Sequence, residues 1–165
     1  KTMTGGRLSK IKKYINDGET FFMTYGDGVG SVNIKELLKF HKKKKKLATM
    51  TIVKPPGRFG MVKLKNDLIT EFVEKPSGDG SWINGGFFVL EKKSLDLVSK
   101  DKDIWERKPL ETLAKRNQLA AYKHNGFWKA MDTLRDKIVL DELWVKKKHP
   151  GSYGNFKKLQ KILEK

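Results

Sequence analysis

Two aspartates, distant in the chain, each follow a short apolar segment that is typical of a buried strand. Asp27 comes after the run Thr20–Met23 and precedes Gly28, and Asp132 comes after Phe127–Met131. Open α/β sheets place their ligand chemistry at the carboxyl ends of strands, where such a carboxylate would lie. An Asp-Gly pair after a strand is also an ordinary tight turn, so neither segment identifies a site by itself.

Taken together, Asp27 and Asp132 predict a metal site. Mg²⁺ takes oxygen ligands and is usually held by one or two carboxylates together with substrate phosphates. Two aspartates that meet at neighbouring strand ends would supply such a pair. We therefore expect them to bind Mg²⁺ as catalytic residues in a phosphoryl or nucleotidyl transfer.

The segment Glu74-Lys75-Pro76 offers a cation for an anionic substrate. It follows a predicted strand, and the proline forces Lys75 into an extended conformation. The Lys75 ammonium would then point from a strand end, where it can neutralise a substrate phosphate. A surface ion pair beside a turn is the alternative interpretation.

Three glycine-containing segments could approach a ligand closely. Asn84-Gly85-Gly86 interrupts an apolar strand, which predicts either a sugar-binding site beside the Asn84 side chain or a simple bend. Thr4–Arg7 offers flexible backbone donors and a guanidinium for a nucleotide, although a lone Gly-Gly-Arg is a weak motif. Pro55–Gly60 is most simply a rigid turn, from which Arg58 could reach an anion.

The elements that would position these residues alternate between strands and helices. A strand over Thr20–Tyr25, a helix over Asn33–Lys46 and a strand over Leu47–Val53 indicate a parallel crossover, hence an α/β fold with a mixed, mainly parallel sheet flanked by helices. The remaining pattern predicts strands over Phe59–Leu64, Leu68–Val73, Trp82–Leu90, Leu119–Lys123 and Phe127–Met131, and helices over Lys92–Ser99, Pro109–Arg116 and from Thr133 to Leu143.

Composition limits the class of protein. The 165 residues include no cysteine and three scattered histidines, which excludes disulfides, argues against a zinc site and fits a cytoplasmic setting. No apolar run approaches the roughly 20 residues of a membrane span. We expect one domain over residues 1–149 and a tail, 150–165, in which apolar residues at helical spacing indicate a docked helix.

The formal charge of +17 raises nucleic-acid binding as a rival function. The lysines cluster at 42–46, at 146–148 and at the carboxyl terminus, each at the end of a predicted helix. Cations are favoured there by the helix dipole, so a solvated lysine-rich surface explains them better than a recognition groove does. A field of this sign is also compatible with phosphate-bearing substrates.

Six motifs in order along the chain resemble the sugar-1-phosphate nucleotidyltransferases, and within them most closely the glucose-1-phosphate cytidylyltransferases. The similarity extends to about Trp144 and is carried by Met3–Leu8, Thr24–Val29, Pro55–Gly60, Glu74–Pro76, Ile83–Phe88 and Met131–Asp136. Several ordered motifs are far more specific than any single one. The resemblance implies a Rossmann-like fold and transfer of a cytidylyl group from CTP to glucose 1-phosphate, with release of pyrophosphate.

The resemblance also implies roles for individual residues and an assembly state. Asp27 and Asp132 match the metal-binding aspartates of the family. Nucleotide contacts fall on Thr2, Arg7 and Gly26, and contacts with the sugar and its phosphate fall on Glu74, Lys75, Asn84 and Gly85. Family members commonly assemble, so a homo-oligomer is expected.

One family motif is missing from this sequence. Family members open with a glycine-rich loop that wraps the triphosphate and places a catalytic arginine, and these 165 residues contain no such loop. We therefore interpret residues 1–149 as the C-terminal part of a nucleotidyltransferase domain that binds CTP poorly and turns over little alone. A transferase using another nucleotide, or a basic nucleic-acid-binding module without enzymatic activity, stays open as an alternative.

Overall fold

A computed structural model describes residues 2–55, 61–73 and 81–146. In chain order the elements are α1 (Thr4–Ile11), β1 (Thr20–Thr24), β2 (Gly28–Gly30), α2 (Ile34–Lys44), β3 (Ala48–Val53), β4 (Met61–Lys65), β5 (Leu68–Val73), β6 (Ile83–Glu91), α3 (Lys108–Lys115), β7 (Leu119–His124), β8 (Trp128–Ala130) and α4 (Leu134–Val145). Short 3₁₀ segments cover Lys12–Tyr14 and Lys92–Leu97. None of the helices in these ranges combines the length and apolar character that crossing a bilayer requires.

The chain divides into two compact units. Unit 1 comprises Lys1–Tyr25, Ile34–Ile52 and Asn84–Lys123, and unit 2 comprises Gly26–Asn33, Val53–Ile83 and His124–Lys165. The predicted tail, 150–165, lies outside the described residues, so its separation from a domain over residues 1–149 stays a prediction.

Unit 1 is built on a four-stranded sheet with the strand order β1-β6-β3-β7. β1 and β6 pair antiparallel, with Thr20 opposite Glu91 and Thr24 opposite Phe87. Phe88, Val89 and Leu90 of β6 are all buried, which is typical of a strand covered on both faces. The prediction of an α/β fold with a mixed sheet and flanking helices is confirmed.

The core of unit 1 lies between this sheet and the segments around α3. Trp105 is completely buried, and its ring meets Phe88 edge to face with 6.4 Å between the ring centroids. The buried cluster consists of Leu8, Ala48, Phe88, Leu90, Leu95, Val98, Trp105, Leu110 and Leu113. Because these side chains come from α1, the sheet, the Lys92–Leu97 segment, the loop that follows it and α3, their packing joins elements that are distant in sequence.

α2 is anchored to the sheet by a buried polar contact. His41 is 2% exposed; its Nδ1 lies 2.8 Å from Thr49 Oγ1 and its Nε2 lies 2.9 Å from Glu91 Oε1. Both ring nitrogens therefore have partners, as a buried imidazole requires. This histidine belongs to the architecture of unit 1 rather than to a metal site.

The prediction that Thr4–Arg7 is flexible is wrong, because these residues begin α1. The Met3 amide donates to the Asp101 carbonyl at 2.8 Å, and the Gly6 amide donates to the Asp103 carbonyl at 3.2 Å. A Cβ on Gly6 would lie 2.7 Å from Asp101 Cα, so glycine is needed for close backbone approach. Glycine disfavours helices, and only the packing explains its presence here.

Gly6→Ala is expected to lower the free energy of unfolding by about 1–3 kcal/mol, the usual cost of overpacking. The added methyl group would overlap backbone atoms of Asp101, which cannot rotate away as a side chain could. Urea denaturation measures the change. Arg7→Ala on the exposed face of α1 is the control, expected within about 0.5 kcal/mol of wild type. Unchanged or increased stability of Gly6→Ala would contradict this packing account, since alanine is the better helix former.

The helix predicted over Lys92–Ser99 is confirmed in part, as a 3₁₀ helix over Lys92–Leu97. The Ser94 hydroxyl donates to the Glu91 carbonyl at 2.7 Å, and the Val98 amide donates to the Leu95 carbonyl at 3.1 Å. These tight local bonds close the turn after β6 and favour three-residue over four-residue spacing.

The described residues of unit 2 form two strand pairs, β2 with β8 and β4 with β5. The hairpin predicted over residues 59–73 is present from Met61 to Val73, and residues 59–60 lie outside the described part. Its turn residues Asn66 and Asp67 have φ values of 48° and 63°. Two consecutive left-handed residues are typical of a type I′ hairpin turn, whose twist matches that of the strands.

Candidate active site

The pairing of β2 with β8 brings the two predicted metal ligands to the same end of a short antiparallel ribbon. Gly28 lies opposite Ala130 and Gly30 lies opposite Trp128. One step beyond this register, the Met131 amide donates to the Asp27 carbonyl at 2.8 Å. Asp132 is the next residue, and both aspartates are exposed. The structure therefore places Asp27 and Asp132 on adjoining backbone segments.

β2 was not predicted from the sequence, because its three residues contain two glycines, which weaken strand propensity. Tertiary contacts hold it in place. The Ser31 amide donates to the Phe127 carbonyl at 2.8 Å, and Ser31 Oγ lies 3.4 Å from His124 Nε2. The pairing thus continues for one residue past β2, at the end of the ribbon opposite Asp27 and Asp132.

A capping box fixes the backbone immediately after Asp132. The Asp136 amide donates to Thr133 Oγ1 at 3.2 Å, and the Thr133 amide donates to Asp136 Oδ2 at 3.1 Å. Lys129 Nζ, from β8, donates to Asp136 Oδ1 at 2.6 Å. The predicted helix start at Thr133 with Asp136 is confirmed, and the bond from Lys129 ties the first turn of α4 to β8, the strand that ends two residues before Asp132.

The hydrogen bond from Lys129, followed by those from Thr133, lowers the pKa of Asp136 from its ordinary value of 3.8 to about 2. A carboxyl group with a depressed folded-state pKa stabilises the fold above about pH 4 and loses that contribution as the pH falls toward 2. A ¹³C NMR titration of the Asp136 carboxyl should give a midpoint near 2, and Lys129→Met should raise it.

The control for this titration is Lys137→Met. Lys137 forms an ion pair with Asp141 at 2.6 Å on α4, so its removal should leave the Asp136 midpoint unchanged. A wild-type Asp136 that titrates at 3.8 would contradict the account of the capping box.

In unit 1, the predicted sugar-binding segment adopts a conformation set by Tyr25. Gly86 has a φ of +78°, and a Cβ there would lie 2.9 Å from Tyr25 Cδ2. The Tyr25 amide donates to the Gly86 carbonyl at 3.0 Å. The close approach that the glycines predicted is therefore made at Gly86 by the Tyr25 side chain, and Gly85 is buried beside it in β6.

Asn84 is held from both ends of its amide. Its Oδ1 accepts from the Gly86 amide at 2.9 Å, and its Nδ2 donates to the Tyr25 hydroxyl at 3.2 Å. The Tyr25 hydroxyl in turn donates to Glu106 Oε1 at 2.5 Å. Neither Tyr25 nor Glu106 was singled out from the sequence, because their relation to Asn84 exists only in the folded chain.

The other predicted site residues are distributed over both units. Thr2 precedes α1, where its hydroxyl accepts from Lys10 at 3.1 Å, and Arg7 is exposed on the same helix. Gly26 belongs to unit 2 and has open space around it. Glu74 and Lys75 lie outside the described residues, as does Arg58, so their roles stay predictions.

The donor set at Asp27 and Asp132 fits Mg²⁺ in its chemistry. Within residues 2–55, 61–73 and 81–146, no three His, Cys, Asp or Glu side chains come together as a group able to hold a metal ion. A pair of exposed carboxylates is nonetheless the usual protein contribution to a Mg²⁺ site, because substrate phosphates and water complete the shell. Zinc does not fit, because its sites use three or four protein ligands that usually include histidine or cysteine.

Comparison with known proteins identifies relatives of this chain. Residues 4–135 match the nucleotidyl transferase family. The chain is 50% identical over 149 residues to glucose-1-phosphate cytidylyltransferase of Salmonella typhimurium, covering 90% of this chain and 58% of that protein. It is 32% identical to the catalytic subunit beta of mannose-1-phosphate guanylyltransferase of Dictyostelium discoideum, covering 83% of this chain and 39% of that protein.

A solved structure extends the similarity to the fold. The crystal structure of apo-UDP-glucose pyrophosphorylase matches with a TM-score of 0.62 and 18% identity, covering 90% of this chain and 62% of that chain. At this identity the match shows the fold alone. The chain spans 58% of the length of the Salmonella relative.

Proposed function

Because the chain belongs to the nucleotidyl transferase family, we propose that the protein is a glucose-1-phosphate cytidylyltransferase. It would convert CTP and glucose 1-phosphate to CDP-glucose and pyrophosphate. The relatives named for cytidylyl transfer are more similar to this chain than those named for guanylyl transfer. That difference favours CTP over other nucleotides and glucose over mannose.

The observation that carries the proposal is the register of β2 with β8, which supports joint use of Asp27 and Asp132. These residues would hold Mg²⁺. When bound, the ion would offset the negative charge that develops on the phosphates during attack by the sugar phosphate oxygen. The capping box behind Asp132 would keep its backbone fixed while the charge is redistributed.

The remaining site residues would bind and orient the two substrates. Thr2, Arg7 and Gly26 would contact the nucleotide. Glu74 would accept hydrogen bonds from sugar hydroxyls, and the Asn84 amide would form hydrogen bonds with them beside the backbone of Gly85. The Lys75 ammonium would neutralise the sugar phosphate. Holding both reactants in line converts a bimolecular reaction into an effectively unimolecular one, which is a large part of such catalysis.

Thermal shifts provide the experiment that separates the candidates. With Mg²⁺ present, glucose 1-phosphate is expected to raise the melting temperature more than mannose 1-phosphate, and CTP more than UTP, dTTP or GTP. These 165 residues contain no glycine-rich triphosphate loop, so the shift with CTP should be small and pyrophosphate release slow. Absence of any shift with glucose 1-phosphate and Mg²⁺ would refute the proposal.

The lysine-rich surface is the reason to include a nucleic-acid control. The last turn of α2 contains His41, Lys42, Lys43 and Lys44, as expected for cations at a helix carboxyl end. A basic binding module would bind DNA or RNA with steep salt dependence, whereas the transferase would not. We further propose a cytoplasmic location. We also propose a homo-oligomeric state, and light scattering on the purified chain would measure the number of subunits.

A further inference from the structure

Glu106 lies in the turn before α3, where it accepts two side-chain hydrogen bonds. The Thr4 hydroxyl donates to Oε2 at 2.7 Å, and the Tyr25 hydroxyl donates to Oε1 at 2.5 Å. The carboxylate is partly buried in unit 1. A charged acceptor with two hydroxyl donors makes short, strong hydrogen bonds, and it fixes the direction of both hydroxyl protons.

The direction of the Tyr25 hydroxyl proton determines how the Asn84 side-chain amide is oriented. A tyrosine hydroxyl has one proton to donate, and an ionised carboxylate can only accept. With that proton on the Glu106 side, the oxygen lone pairs of Tyr25 face the Asn84 Nδ2 group, 3.2 Å away. The other end of the amide is fixed by the Gly86 N–H, which donates to Asn84 Oδ1. Asn84 is therefore oriented by a chain of hydrogen bonds that ends at Glu106.

The second bond of Glu106 ties the same chain to α1. Thr4 Oγ1, which donates to Glu106, also accepts from the Trp105 amide at 3.0 Å. Thr4 is the first residue of α1, between Thr2 and Arg7. The contact thus links the backbone that carries the proposed nucleotide contacts to the carboxylate that orients Asn84, all within unit 1.

We propose that Glu106 is a positioning residue for binding of the sugar phosphate: through Tyr25 it orients the Asn84 amide that contacts the sugar. This inference rests on the proposed function, in which Asn84 binds glucose 1-phosphate. Glu106 itself need not touch the substrate. Its effect passes through one hydroxyl group, so removing either Glu106 or the Tyr25 hydroxyl should have the same consequence.

Calorimetric titration with glucose 1-phosphate in the presence of Mg²⁺ tests this chain of contacts. Glu106→Gln replaces one acceptor oxygen by an NH₂ donor, and Tyr25→Phe removes the hydroxyl. Each is expected to raise the Kd about tenfold, corresponding to loss of one hydrogen bond to a charged group. The Kd of the double variant should be no higher than the higher of the two single-variant values, because both substitutions interrupt the same chain of hydrogen bonds.

Glu111→Gln is the matched control, since Glu111 is exposed on α3 in the same part of the chain. Its Kd should equal that of wild type. A readout in the free protein follows the Asn84 side-chain NH₂ signals by ¹⁵N NMR. Their hydrogen exchange should be slow in wild type and faster in both Glu106→Gln and Tyr25→Phe.

The outcomes separate this inference from the proposed function. If wild type binds no glucose 1-phosphate, the proposed function fails and the role of Glu106 fails with it. If wild type binds, but folded Glu106→Gln and Tyr25→Phe bind equally well, Glu106 only stabilises the fold and the positioning role is overturned. Additive losses in the double variant, or Asn84 signals that do not respond in either variant, would overturn it as well.

Discussion

Replacing either Asp27 or Asp132 by asparagine is expected to abolish Mg²⁺-dependent binding of glucose 1-phosphate while the protein stays folded. Each substitution removes one of two aspartate carboxylates, and the β2 and β8 pairing places the backbone segments of these residues next to each other. Removing a group that only hydrogen-bonds to a metal ligand typically lowers metal affinity about 10- to 100-fold. Removing a ligand itself should therefore lower it about 100-fold or more. Mn²⁺ titration followed by electron paramagnetic resonance measures the affinity directly.

Asp67→Asn is the matched control for these variants. Asp67 is exposed in the β4–β5 turn of unit 2, and its φ of 63° is one that asparagine adopts readily. Its metal affinity and unfolding should equal those of wild type. Because Asp27 and Asp132 are exposed, their substitution should change the free energy of unfolding by no more than about 0.5 kcal/mol. Full Mg²⁺-dependent binding by either variant would rule out the paired site.

Trp105→Ala is expected to give the largest loss of stability among the substitutions considered. Trp105 has no exposed surface and packs against Phe88 at the centre of the unit 1 core. Removing a buried tryptophan side chain typically lowers the free energy of unfolding by about 3–5 kcal/mol. The loss of buried apolar surface and the cavity left behind both contribute to this cost. For a chain of this size the melting temperature should fall by roughly 6–20 °C. Calorimetry provides the measurement.

Tyr14→Ala supplies the comparison for an exposed aromatic residue. Tyr14 is 76% exposed at the end of the first 3₁₀ segment. Its replacement should change the free energy of unfolding by no more than about 0.5 kcal/mol. Equal losses for Tyr14→Ala and Trp105→Ala would mean that Trp105 is not at the centre of the core.

The longer elements could be predicted because their patterns repeat along the chain. The apolar run of β3, the helical spacing of α2 and the Thr133–Asp136 signal before α4 each encode their structure locally. The pairing of Asp27 with Asp132 was reached as a hypothesis from residue type and position. Strand register, which brings the two residues together, depends on contacts that no local pattern contains.

The missed features depend on tertiary structure. The first turn of α1 contains Gly5 and Gly6, which lower helix propensity and are needed only because the backbone of Asp101 and Asp103 packs against them. β2 is three residues long and is held by its partner rather than by propensity. Glu106 belongs to no recognisable sequence motif, because the Thr4 and Tyr25 hydroxyl groups contact it only in the folded chain.

The central claim is that Asp27 and Asp132 hold one divalent ion between them, and paramagnetic broadening by Mn²⁺ tests it most directly. In a ¹⁵N NMR titration, we predict that the amide signals of Gly28 and Met131 broaden together and saturate at one Mn²⁺ per chain. Broadening of only one of these signals, or of the two with separate midpoints, would contradict a shared site.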